Sequence, residues 1–124
     1  MEILIPISLG ELYDKLTILE IKSEKIEDVD KLKNINKEIN LLKKIVHQYP
    51  IATPYWADLY NVNSILWEIE DSIRKKESIK LYDEEFIELA RRVYIYNDRR
   101  SKIKKEINTE YGSDIIEEKS YEEY

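Results

Sequence analysis

Residues 53–77 read TPYWADLYNVNSILWEIEDSIRKKE, and the spacing of their side chains decides the fold. At about 100° per residue, Tyr55, Leu59, Val62, Leu66, Ile69 and Ile73 share one apolar stripe. Trp56, Tyr60, Asn63, Trp67, Glu70 and Arg74 share a second, mixed stripe beside it. A strand would alternate with period two; this period is helical, and two adjacent stripes mean that neighbours cover most of the helix. The boundaries agree. Tyr49-Pro50 stops the preceding helix because proline has no amide hydrogen to continue the ladder, and Thr53-Pro54 restarts the chain as N-cap and first helical residue.

Three more helices are predicted around this one. Ser8 followed three residues later by Glu11 is a capping-box arrangement and opens a first helix that runs to about Ile26. Asp30 opens a second, in which Leu32, Ile35, Ile39, Leu42 and Val46 form one buried stripe opposite a lysine-rich face. Asp83 caps a fourth, which runs past Ile107 to Tyr111 before Gly112 stops it. Glu2 to Ile7 is apolar, β-branched and broken by Pro6. It suits a short extended segment that packs on the helices or on a second subunit. Residues 113–124 form an acidic tail whose Tyr121 and Tyr124 either dock on a neighbour or fray. The expected fold is all-α: an antiparallel bundle of about four helices in one domain, residues 1–124.

Composition narrows the function classes. With 26 acidic against 20 basic residues the net charge is −6, which repels a phosphate backbone and argues against nucleic acid. The absence of cysteine removes disulfides, thiolate metal sites and cysteine nucleophiles, and fits a reducing compartment. No apolar run approaches a membrane span, and residues 1–8 lack the basic start and long apolar stretch of a signal peptide. A cytoplasmic location is the expectation. His47, the only histidine, lies among lysines near the end of the second helix, where a surface position is expected.

Polar residues caught on apolar stripes are the main clue to a site, because a buried polar group needs a partner. Glu20 falls among Leu9, Leu12, Tyr13, Leu16 and Leu19 on the first helix. The fourth helix turns from Phe86, Leu89 and Val93 to Asn97, Arg100 and Lys104 before Ile107. Two readings fit. Either Glu20, Asn63, Glu70, Arg74, Asn97, Arg100 and Lys104 are structural, as internal salt bridges that fix helix register or a polar strip at an oligomer interface, or they line a polar pocket walled by Trp56 and Trp67 that holds a small anionic ligand.

Two carboxylate pairs, Glu11 with Asp14 and Glu68 with Asp71, repeat a three-residue spacing, and on facing helices they would suit Mg²⁺. Both pairs point away from the main apolar stripes, and Glu11 is already explained by the cap. An enzymatic version of the pocket would cleave a nucleotide or nucleotide-sugar pyrophosphate. Glu20 or Glu70 would activate water, while Arg100 and Lys104 balance the developing charge.

The opening Ile7-Ser8-Leu9-Gly10-Glu11-Leu12-Tyr13-Asp14-Lys15-Leu16-Thr17-Ile18-Leu19-Glu20-Ile21-Lys22 resembles a family of short bacterial and phage proteins, domain of unknown function 6165. The stretches at Leu66–Arg74, Tyr96–Arg100 and Glu117–Tyr121 resemble it too. That resemblance implies no reaction. Members are often encoded near glycan-synthesis enzymes, which points to an interaction or assembly role in a glycan-synthesis or phage system as the alternative to ligand binding. A looser likeness links Glu11, Asp14, Glu68, Asp71 and the Asn97–Arg100 stretch to the all-α nucleoside triphosphate pyrophosphohydrolases. The chain departs from that family's close Glu-x-x-Glu then Glu-x-x-Asp order. Helical chorismate mutases, which hold a dicarboxylate with Arg, Lys and Glu inside a bundle, are similar in residue types alone.

Overall fold

The computed structural model describes residues 1–124 and contains four helices and no strand: α1 (Leu9–Lys25), α2 (Val29–Val46), α3 (Thr53–Ser78) and α4 (Glu84–Glu110). Short connections, residues 26–28 between α1 and α2 and 79–83 between α3 and α4, fold each pair back on itself. α1 is the hub. It packs against the other three, α3 also packs on α4, and α2 lies along α1 alone. No helix is long and apolar enough to cross a membrane.

Side-chain oxygens start three of the helices. Ser8 Oγ accepts from the Glu11 amide at 3.1 Å, Asp28 Oδ1 from Lys31 at 2.9 Å and Asp83 Oδ1 from Phe86 at 3.0 Å. Each satisfies a donor that has no partner in its own helix, a contribution of about 1 kcal/mol. The second helix therefore begins at Val29, one residue before the expected Asp30, because Asp28 caps it by reaching the amide three residues on. α3 differs as well: Ala52, not Thr53, is its N-cap and makes no side-chain cap bond, while the Ala52 amide donates to Tyr111 Oη at 2.6 Å. At the end of α4 Gly112 takes φ +64°, which lets the Ser113 amide reach back to Asn108 O at 2.8 Å.

The core has two centres. Leu16 and Leu19 of α1 meet Ile35 and Ile39 of α2, with Ile26, Leu42 and Val46 at the margin. Tyr13, Leu59 and Ile107 bring α1, α3 and α4 together, flanked by Trp56 and Ile103. Burying such a side chain contributes roughly 1.5–3 kcal/mol, and these contacts fix the helices in register. Of the segment before α1, Ile7 is half-buried, whereas Ile3, Leu4 and Ile5 are 74%, 84% and 70% exposed. The acidic tail does not fray but lies back along α4, where Tyr124 Oη donates to Asp98 and its ring meets Tyr94 edge-on.

Candidate functional site

The site begins with a close approach. Gly10 sits where a Cβ would come within 2.5 Å of Lys104 O and 3.0 Å of Asn108 Oδ1, so glycine alone lets the start of α1 lie against α4. The contact is polar as well as tight: the Gly10 amide donates to Asn108 Oδ1 at 2.7 Å. One turn further along, the same approach buries Asp14 completely.

Asp14 is held by three elements. Asn63 Nδ2 from α3 and Arg100 Nε from α4 both donate to Oδ1 at 2.9 Å, and Arg100 Nη2 donates to Oδ2. Asn63 also donates to Thr17 Oγ1 at 2.9 Å, and Thr17 in turn donates to the Asp14 carbonyl at 2.8 Å. Lys104 Nζ, almost fully buried, lies 3.9 Å from Asp14 Oδ2 and donates to Glu11 Oε2 at 2.7 Å and Glu117 Oε2 at 2.9 Å. Burial pulls its ammonium downward, but the bonds from Glu11 and Glu117 outweigh that and hold it above the ordinary lysine range. The Arg100 guanidinium is likewise raised, first by its bond to Asp14. No buried side-chain nitrogen or oxygen lacks a partner. The inner part of the cluster is thus a closed salt-bridge network, which takes in Asn63, Arg100 and Lys104 but draws its carboxylates from Glu11, Asp14 and Glu117, not from Glu20 or Glu70.

Its outer edge opens into a cleft of about 430 Å³ between α1, α3 and α4. Six residues nominated for the polar pocket, Asn63, Trp67, Glu70, Arg74, Asn97 and Arg100, line it together, with Asp71, nominated for Mg²⁺, and Ile18 and Leu66 completing the wall. Glu70 pairs with Arg74 at 3.2 Å along the helix, and Asp71 pairs with Lys75 at 3.1 Å. Arg100 spends Nε and Nη2 on Asp14; its Nη1 makes only a long 3.4 Å bond to Asn97 Oδ1.

Other nominated residues fall elsewhere. Glu20 faces α2, 3.5 Å from Lys43, so the two carboxylates expected to share acid–base work, Glu20 and Glu70, do not face one cleft. Lys104 belongs to the inner network. The four carboxylates suggested for Mg²⁺ are held apart: Glu11 by Lys104, Asp14 by Arg100, Glu68 by Lys25 at 3.0 Å and Asp71 by Lys75. No group of three or more acidic or histidine side chains is arranged to hold a metal ion. The expectation that Glu11 and Asp14 both point away from the core is corrected for Asp14. A carboxylate beside an apolar stripe is drawn inward when the facing helices supply a guanidinium and an amide to meet it.

A family of unknown function, DUF6165, matches residues 3–124. The chain belongs to that family. No curated protein and no solved structure matches it. The DUF6165 match runs through the tail, and so takes in Glu117, which completes the coordination of Lys104. Sequence reasoning missed Thr17, Asn108 and Glu117 as members of the network. Thr17 and Asn108 each lie one step off an apolar stripe, a usable signal. Glu117 had only its place in the Glu117–Tyr121 stretch.

Proposed function

We propose that the α1–α3–α4 cleft binds a small anionic ligand, a nucleotide or nucleotide-sugar being the class that suits its lining. The observation that carries this is the state of Arg100. Asp14 fixes the guanidinium through one edge, and the remaining edge faces the cleft with a weak bond that an incoming oxyanion replaces at little cost. Arg74, on a neighbouring turn of the wall, supplies a second cation by leaving Glu70. Trp67 offers a flat face for a base or sugar ring, with Asn63 and Asn97 close by for hydrogen bonds. Binding is favoured over turnover because Glu70 is the only one of the two nominated acid–base carboxylates on this wall.

The test is a panel of nucleoside phosphates and nucleotide-sugars, with and without Mg²⁺, followed by tryptophan fluorescence and thermal shift. Binding by one of them that is lost in Arg74→Ala and Trp67→Ala is the expected result. A flat response across the panel removes the proposal. The interaction or assembly reading rests on a different observation, the exposed Ile3-Leu4-Ile5 segment, which offers apolar surface to a second copy.

A further inference from the structure

Beside the inner network, on the flank of α4 that carries Lys104 and Asn108, the C-terminal segment forms the outer wall of a cavity of about 250 Å³ lined by no hydrophobic residue. The α4 wall is Ser101, Lys102, Lys104, Lys105 and Asn108; the facing wall is Glu117, Glu118 and Lys119. Both carboxylates in the lining therefore come from the segment. They sit on the α4 lysines as counter-ions: Glu117 on Lys104 at 2.9 Å, Glu118 on Lys105 at 3.0 Å. Lys102 has no ion-pair partner.

The segment has no apolar anchor. Residues 114–124 are all exposed, including Ile115 and Ile116, so beyond Ser113, which accepts from the Leu9 amide and donates to the Ile115 carbonyl, the segment is held by these ion pairs and by the contact of Tyr124 with Asp98 and Tyr94. The Glu118–Lys105 pair is exposed, hence weak and readily exchanged for another anion, whereas Glu117 meets an almost fully buried ammonium and is the firmer of the two. With the segment lifted, α4 presents three ammonium groups, a hydroxyl and a carboxamide on two successive turns. Lys104 is pre-positioned there by Glu11.

We propose that this notch is a second anion site, built for a polyphosphoryl group, and that Glu117 and Glu118 are its internal competitors. A ligand with two linked phosphoryl groups matches adjacent lysines better than two separate carboxylates do, because one molecule meets all three cations and releases the segment. The site is distinct from the α1–α3–α4 cleft, with which it shares no residue.

Inorganic pyrophosphate is the probe, titrated by calorimetry into the full chain and into Glu117→Gln/Glu118→Gln. The double variant should bind at least about fivefold more tightly, because neither the exposed Glu118 pair nor the firmer Glu117 pair then competes. Lys102→Ala/Lys105→Ala in that background should lose the binding, whereas Arg74→Ala should keep it. In the unsubstituted chain, pyrophosphate should shift the amide resonances of residues 114–124. Equal affinity with and without the two glutamates, binding indifferent to Lys102 and Lys105, or no binding by any variant overturns the proposal. Lys104 is left intact throughout and keeps its bond to Glu11; because Glu117→Gln removes its other carboxylate, thermal melts of the double variant check that the inner network survives.

Discussion

Arg100 reaches from the middle of α4 to grip both carboxylate oxygens of Asp14 on α1, tying together two side chains 86 residues apart in sequence. Asp14 is wholly buried while Arg100 keeps 28% of its side chain exposed, so the pair forms both the floor of the bundle's polar core and the inner end of the cleft. Breaking it from either side strands a charge.

Arg100→Ala should therefore lose roughly 3 to 5 kcal/mol, the range for removing one partner of a buried pair, and Asp14→Ala a similar amount. Glu70→Gln, half-exposed and paired only along its own helix, should change stability by about 0.5 kcal/mol or less. Urea unfolding of the three variants measures the contrast. Equal losses would mean that the Asp14–Arg100 pair has no special weight in the fold.

Gly10→Ala adds one methyl where backbone already stands 2.5 Å away. Forcing α1 from α4 should cost about 1 to 3 kcal/mol and weaken the Gly10–Asn108 bond, although alanine is the better helix former. A melting temperature equal to that of the unsubstituted chain would show that the close approach carries no strain cost. Hydrogen exchange at the Gly10 amide gives an independent reading.

Acid should loosen the α3–α4 connection and the C-terminal tail. Asp83 is held below its ordinary value of 3.8, first by Lys76 and then by the Phe86 amide, and Glu117 below its ordinary 4.5, first by Lys104. A depressed carboxylate contributes stability that is fully present above its unfolded value and is lost as pH falls through the folded one. Thermal melts should stay level above about pH 5 and decline below pH 4. In Asp83→Asn the decline should be shallower, because one of the groups that takes up a proton on unfolding is gone.

The Ile3-Leu4-Ile5 segment should drive self-association, since three large apolar side chains exposed in a row are otherwise left to water. Light scattering at micromolar concentration should report a dimer or larger, and Leu4→Asp should shift it to a monomer. A monomer before substitution would mean that the segment is idle in the isolated chain.

The number, period and approximate limits of the helices were legible in the sequence, because capping oxygens, prolines and apolar spacing act within a few residues of one another. The 53–77 stripes gave α3, Ser8 and Asp83 gave two starts, and Gly112 gave a stop. The cleft was partly legible for the same reason: Asn63, Trp67, Glu70 and Arg74 share a helix face, and Asn97 and Arg100 interrupt another. What only the tertiary structure decided was which charge meets which. Asp14 and Glu20 both lie near the apolar face of α1, yet Asp14 turns to Arg100 and is sealed, while Glu20 turns to Lys43 and stays wet. That outcome depends on helix packing and on the close approach at Gly10. A carboxylate's burial is set by the donors that packing brings within about 3 Å, and no local pattern encodes that distance.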